Sequence, residues 1–208
     1  MAKKALIALS GEATDVDFEI AGKCDYSIAV DGGIRHFIKR SIKPDLHLGD
    51  FDSTDEAMFD FVKKNSIESL RYPKEKNESD GELAISYARL NGFEKAVLVG
   101  LSGLDRPDHA MFNLGLIRYG NDLGIETIAI SGGFEIFEIT GTTSIKSNPG
   151  MIFSVMSQDR PCHVRLDGLK YPLDGELKPG STLGLSNITL GDFSVRTDGR
   201  LLAFLQRK

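Results

Sequence analysis

Between residues 4 and about 130, short apolar runs alternate with stretches whose apolar residues recur at helical spacing, and this alternation constrains the fold more than any other feature of the chain. The runs at 5–9, 26–30, 46–48, 69–72, 96–99 and 127–130 have strand length, and helices fill the gaps. Such a pattern predicts α/β architecture: a Rossmann-like, mostly parallel sheet built from crossover units. Three helices carry their own signals. Ser53-Thr54-Asp55-Glu56 reads as a capping box ahead of an apolar stripe of Ala57, Met58, Phe61 and Val62 that ends before Asn65. Ser79-Asp80-Gly81-Glu82 reads as a second box, with Leu83, Ala84, Tyr87 and Ala88 inward and Asn91-Gly92 as the stop. A third helix is expected over 108–119, stopping at Gly120.

Past residue 133 the helical period disappears. Strands are expected at 134–140, 151–156, 163–166 and 182–185, and Asp198-Gly199 between 193–196 and 201–205 reads as a closing hairpin. The expected organisation is therefore an α/β domain over 1–132 followed by a smaller all-β sandwich domain over 133–208.

The composition removes several function classes. The formal net charge is -5, and the densest basic cluster, Lys74 to Lys76, is broken by Glu75, so no nucleic-acid groove is expected. Cys24 and Cys162 match no zinc spacing with His36, His47, His109 or His163 and read as reduced bystander thiols. The first apolar run covers only residues 5–9, too short for a signal-peptide core, and no later stretch could span a bilayer. A cytoplasmic protein without membrane partners is expected.

The candidate chemistry lies in acidic residues at strand ends. Asp31 opens Asp31-Gly32-Gly33, and Asp50 and Asp52 lie in Gly49-Asp50-Phe51-Asp52-Ser53, each cluster directly after an apolar run. Strand ends are where open α/β sheets bind ligands. In an extended segment Asp50 and Asp52 would project to one face, a pair of hard oxygen ligands suited to Mg²⁺ and a phosphorylated substrate. The competing reading is a polar turn with Asx bonds. A third carboxylate at an equivalent strand end favours the metal, and Asp80, in the first turn of a capped helix, adds to it, although by itself Asp80 reads equally as a partner of the helix dipole.

No Walker loop and no Gly-x-Gly-x-x-Gly follows the first strand. Gly11, Gly32 and Gly33 are the glycines whose backbone could approach a nucleotide. In the loop from Ser102 to His109, Arg106 is a fixed cation suited to clamping phosphate oxygens. Asp108 reads either as a site residue or as an N-cap, and His109 either as a site residue or as a structural histidine. Asn113 shares the helical face of His109.

Taken in order, these motifs resemble the thiamine pyrophosphokinase family. The residues that carry the likeness are Asp31-Gly32-Gly33, Pro44-Asp45, Gly49 to Ser53, Ser79 to Glu82, Arg106 to His109, Gly168 to Leu173 and Ser186-Asn187, spread over nearly the whole chain. The resemblance implies transfer of pyrophosphate from ATP to the hydroxyl of thiamine, giving thiamine diphosphate and AMP, with Mg²⁺ required. It implies that Asp31, Asp50, Asp52 and Asp80 are Mg-ATP ligands or candidate bases, with Asp50, Asp52 and Asp80 as the metal set and Arg106 as the phosphate clamp. It implies further that Tyr171 lies against the thiamine rings, that Ser186 and Asn187 belong to the same subsite, and that the enzyme is a homodimer.

The chain also departs from the family pattern. Asn77 stands where the family has an acid, and Leu104-Asp105 stands where it has two glycines before the arginine. Two other readings therefore compete: pyrophosphoryl transfer to a pterin alcohol, and a catalytically weak paralogue that binds thiamine or nucleotide.

Overall fold

Six strands alternate with five α-helices in the first part of the chain. In the computed structural model, which describes residues 2–103 and 106–207, the chain divides into two units, Met1–Gly132 and Gly133–Lys208. The first unit contains β1 (Lys4–Ala8), β2 (Tyr26–Val30), β3 (Leu46–Gly49), β4 (Glu68–Arg71), β5 (Lys95–Val99) and β6 (Glu126–Ser131), in the spatial order β6-β5-β1-β2-β3-β4. Every one of these pairings is parallel, with Ile7 opposite both Ile28 and Leu98. Buried on both faces, the central strands β1 and β5 are apolar after their first residues, Lys4 and Lys95. Ala5, Ile7 and Ala8 of β1 and Ala96, Leu98 and Val99 of β5 have no exposed surface. Strand order reverses at β1, so the chain leaves β1 and β5 on opposite sides of a crevice, the switch point at which such sheets bind ligands.

The helices are α1 (Asp15–Ala21), α2 (Ile34–Lys39), α3 (Glu56–Lys64), α4 (Asp80–Leu90) and α5 (Pro107–Asp122). A capping box opens α4 as expected, with Ser79 and Glu82 exchanging bonds. At α3 the cap is Asp55, which accepts from Met58 N at 2.9 Å, and not Ser53. The Ser53 hydroxyl is engaged elsewhere, accepting from Gly32 N at 3.0 Å.

Gly120 does not end α5. The helix continues to Asp122, and the left-handed residue after it is Gly124. Gly120 is instead a contact point: a Cβ there would lie 1.9 Å from Thr127 Oγ1 on β6. Asp108 is not the N-cap either. Pro107 occupies the first turn and Arg106 the cap position, in keeping with the preference of proline for a place where no N–H is needed.

The second unit is all-β, with β7 (Phe134–Ile145), β8 (Ile152–Ser157), β9 (Cys162–Leu169), β10 (Leu173–Leu177) and β11 (Asn187–Gln206). Antiparallel ladders join β10 to β9, β9 to β11 and β11 to β7, and β8 also pairs with β11. Phe153, Val164, Leu177, Val195, Leu201, Ala203 and Leu205 are fully buried in its core. Each of these side chains larger than alanine stabilises the unit by about 1.5–3 kcal/mol relative to an exposed position.

Two sequence expectations fail in this unit. Asp198-Gly199 is not a hairpin turn, because β11 runs straight through it along β7, with Arg196 opposite Thr142 and Arg200 opposite Thr140. The extra residues form a bulge whose polar groups have partners: Asp198 Oδ1 accepts from His163 N, and Arg160 donates to Asp198 O. Residues 182–185 form a turn, with Leu185 N donating to Thr182 O, and Leu183 and Leu185 are exposed. The strand lies instead at β10, where Leu173 meets Leu166 and Leu177 meets Cys162.

Candidate active site

A cleft of about 1440 Å³ opens over the β1/β5 crevice of the first unit. Its walls include the turn after β1 (Ser10 to Thr14), Asp31, Asp50, Asp52, Asp80, Arg106, His109 and Asn113. A bridge between Glu12 and Ser102 ties the turn after β1 to the loop after β5.

Asp31 begins a single 3-10 turn that leads into α2, and its φ of 45° is left-handed. Three contacts hold it there. His47 is fully buried beneath it and Nε2 lies 3.0 Å from the Asp31 carbonyl; a carbonyl only accepts, so the ring nitrogen is the donor. Phe51 N donates to Asp31 Oδ1 at 2.9 Å, and the Phe51 ring stacks on His47. The third contact is an absence of bulk: a Cβ on Gly49 would lie 1.9 Å from Asp31 Oδ1.

Asp50 and Asp52 part ways, because the segment is a turn and not an extended strand. Phe51 has φ 68°, and Asp50 Oδ1 accepts from Asp52 N at 2.9 Å. The Asx bond is therefore real, and it engages Oδ1, while Asp50 Oδ2 lies 3.8 Å from Lys76 Nζ. Asp31, Asp50 and Asp80 each offer an oxygen, all within 4.8 Å of one another. Asp52 also lines the cleft, but outside this group; its carboxylate faces Lys74 at 3.4 Å near solvent.

Three carboxylates so close repel one another when charged. Burial, reinforced by the charges of Asp80 and Asp50 and opposed by the bond from Phe51, pushes Asp31 up to about 7. Asp80 Oδ1 is buried and accepts no hydrogen bond among the described residues; Lys76 Nζ lies 3.1 Å away without the alignment of one. A buried oxygen that accepts no aligned hydrogen bond among the described residues, beside two more hard oxygens, fits a hard divalent cation such as Mg²⁺.

The remaining predicted residues fall into two groups. Arg106 grips Asp108 in a two-pronged pair at 3.0 and 2.7 Å, which holds the Asp108 carboxyl well below the usual range. Asn113 donates to the Leu101 carbonyl and so fastens the loop after β5 to α5, while His109 is exposed at the cleft wall. Gly11 lines the cleft. Gly32 and Gly33 are buried beside it, and a Cβ on Gly33 would lie 2.0 Å from Ala8 O. Leu104 and Asp105 lie outside the described residues.

Several cleft residues escaped the sequence reading. Arg35, His36 and Lys39 of α2 line the cleft, and His36 Nε2 donates to the Gly11 carbonyl at 2.8 Å, burial keeping its pKa low. Lys76 contacts the carboxylates themselves. The available signals were the i,i+4 spacings of Arg35 with Lys39 and of Lys76 with Asp80. Pro44-Asp45, by contrast, is structural in this chain: Asp45 Oδ2 accepts from Ser27 N and Ser27 Oγ.

In the second unit, Tyr171 is exposed, with Lys170 Nζ 5.3 Å from its ring centroid. Asn187 is buried and binds the Tyr171 backbone at both N and O. Ser186 is left-handed (φ 59°) and donates its N–H to Ser154 Oγ.

Fold and site together define a class: an α/β unit with a carboxylate-lined crevice at its switch point, followed by a smaller all-β unit. Residues 19–128 match the family "Thiamin pyrophosphokinase, catalytic domain", and residues 142–202 match "Thiamin pyrophosphokinase, vitamin B1 binding domain". A thiamine pyrophosphokinase of Bacillus subtilis is 28% identical over 164 residues, covering 77% of this chain and 76% of that protein. The crystal structure of the B. subtilis enzyme superimposes with a TM-score of 0.84 at 23% identity, covering 98% of this chain and 99% of that one. A family member from Enterococcus faecalis gives 0.81 at 20% identity over the full length of both chains. The yeast enzyme gives 0.78 at 13% identity, covering 98% of this chain and 86% of that one. The chain belongs to the thiamin pyrophosphokinase family.

Proposed function

We propose that this protein transfers pyrophosphate from ATP to the hydroxyl of thiamine, releasing AMP. The observation that carries the reading is the meeting of Asp31, Asp50 and Asp80 within 4.8 Å, in a cleft at the switch point of a chain with this family membership. The transfer needs alignment and charge stabilisation more than covalent help from the protein. The thiamine oxygen forms a bond to the β-phosphorus, the bond from that phosphorus to the AMP oxygen breaks, and the hydroxyl proton passes to a base.

Asp31, Asp50 and Asp80 are the residues that would hold Mg²⁺, with Asp52 at the cleft rim; the ion, when bound, supplies neutralisation of the polyphosphate charge. Arg106, Arg35 and Lys39 give the cleft fixed cations for phosphate oxygens. In the second unit the exposed face of Tyr171 offers stacking and cation-π attraction to a thiazolium, with Asn187 bonded to its backbone and Ser186 preceding Asn187 in sequence. The match of residues 142–202 favours thiamine over a pterin alcohol as acceptor, and the retained carboxylate group favours catalysis over binding alone.

We further place the enzyme in the cytoplasm as a homodimer. Among the described residues no helix is long and apolar enough to cross a membrane.

Purified protein supplied with ATP, Mg²⁺ and thiamine should release AMP and thiamine diphosphate in equal amounts. Asp50→Asn and Asp80→Asn should each lower turnover by about a hundredfold or more, the scale of losing one electrostatic contact in a transition state. AMP formation that does not depend on thiamine, or full activity in both variants, would remove this reading.

A further inference from the structure

Lys76 is the basic side chain nearest the carboxylates, and nothing in the proposed chemistry uses it. Its ammonium lies 3.1 Å from Asp80 Oδ1 and 3.8 Å from Asp50 Oδ2, and it donates to the Pro73 carbonyl at 3.1 Å. The lysine and both carboxylates are largely shielded, with side-chain exposures of 12% for Lys76, 10% for Asp50 and 17% for Asp80. This differs in kind from the neighbouring pair Lys74 and Asp52, whose exposures of 74% and 52% leave it screened by water. The segment from Pro73 to Lys76 therefore delivers a shielded cation to two of the three oxygens on which a divalent ion would bind.

We infer that Lys76 is a positioning residue, the resident counter-ion of the carboxylate group. It holds Asp50 and Asp80 together when no divalent cation is bound, and it competes with that cation for them. The inference rests on the metal reading given above. Its physical basis is that charged carboxylates crowded within 4.8 Å destabilise one another unless a cation offsets them. A metal entering the group must then weaken the lysine contacts, so the lysine sets how much metal the free enzyme binds before nucleotide arrives.

The test is Mn²⁺ binding without nucleotide, followed by electron paramagnetic resonance, together with thermal unfolding with and without Mn²⁺. The proteins compared are the wild type, Lys76→Gln, Lys76→Arg and Asp80→Asn. A neutral side chain at position 76 should tighten Mn²⁺ binding roughly tenfold or more, since one neighbouring opposite charge moves the proton affinity of a carboxylate by about one to three pK units. Lys76→Gln should also unfold at a lower temperature without metal and gain more from Mn²⁺ than the wild type does. Lys76→Arg, which keeps the charge, should bind Mn²⁺ within a few-fold of the wild type.

Unchanged or weaker Mn²⁺ binding by Lys76→Gln overturns the inference. If the wild type binds Mn²⁺ and Asp80→Asn does not, that failure belongs to Lys76 alone and the metal reading stands. Binding that Asp80→Asn leaves intact removes both, because the ion then sits elsewhere. A variant at position 76 that failed to fold without metal but folded with it would support the counter-ion role directly.

Discussion

The side-chain amide of Asn187 brackets the backbone of Tyr171: Oδ1 accepts from Tyr171 N at 3.0 Å, and Nδ2 donates to Tyr171 O at 2.6 Å. Asn187 is buried whereas Tyr171 is 57% exposed, so the amide fixes where the aromatic face is presented without occupying it. Asn187→Ala should cost about 1–3 kcal/mol by leaving buried polar groups unpaired. It should raise KM for thiamine and leave KM for ATP nearly unchanged. Urea unfolding and steady-state kinetics with each substrate varied check both parts.

Asp31 gives the metal-free protein a pH dependence of defined sign. Its folded pKa of about 7 lies above the ordinary value of 3.8, so the folded state holds a proton that the unfolded state has lost between those two values. The stability it contributes is complete at low pH and is lost as pH rises toward 7. His36 and His47 have lowered pKa values and act in the opposite sense, their contribution being complete above the ordinary value of 6.5 and lost as pH falls below it. Comparison with Asp31→Asn isolates the carboxyl. The variant should gain melting temperature over the wild type steadily from about pH 4 to pH 7 and level off above, as followed by unfolding in metal-free buffer.

His47 should matter for turnover as well as for stability. Its Nε2 supports the Asp31 carbonyl, while its buried Nδ1 has no hydrogen-bond partner among the described residues. His47→Leu removes that unpaired nitrogen but leaves the carbonyl without its donor. A loss of about 1–2 kcal/mol in stability is expected, within the range for one orphaned group, with a drop in kcat of tenfold or more. His47→Gln, which can still donate, should recover part of the turnover. Equal turnover in the two variants would show that the hydrogen bond to Asp31 is not what matters.

Gly120→Leu should unfold the first unit more than it harms the site. The close approach of α5 to Thr127 leaves no space, and a Cβ would also lie 3.3 Å from Ile85 Cγ2. Overpacking of this kind costs about 1–3 kcal/mol or more. Any variant that remains folded should show a lower melting temperature with kcat nearly unchanged.

Much of this protein was legible in the chain itself. Apolar runs of strand length separated by helical periods specify a parallel sheet because only crossover connections join such strands, and the six runs of the first unit lie within one or two residues of the observed strands. The Ser79/Glu82 box was legible because capping is a contact between residues three apart. The family was legible because its motifs are local runs of residues in a fixed order.

What the sequence could not settle depended on partners distant along the chain. Asp198-Gly199 has the local chemistry of a turn, yet β7 supplies a ladder on both sides of it and turns it into a bulge. Gly120 reads as a helix stop, but Thr127 makes it a packing contact. Asp50 and Asp52 are equivalent as text; the left-handed Phe51 between them sends one to the carboxylate group and the other toward Lys74. The pairing of Lys76 with Asp50 requires β3 and the loop before α4 to end side by side. Residue types and local spacing thus determined the elements and the chemistry available, while the tertiary structure decided which charges meet, because electrostatic and steric contacts depend on distance in space and not along the chain.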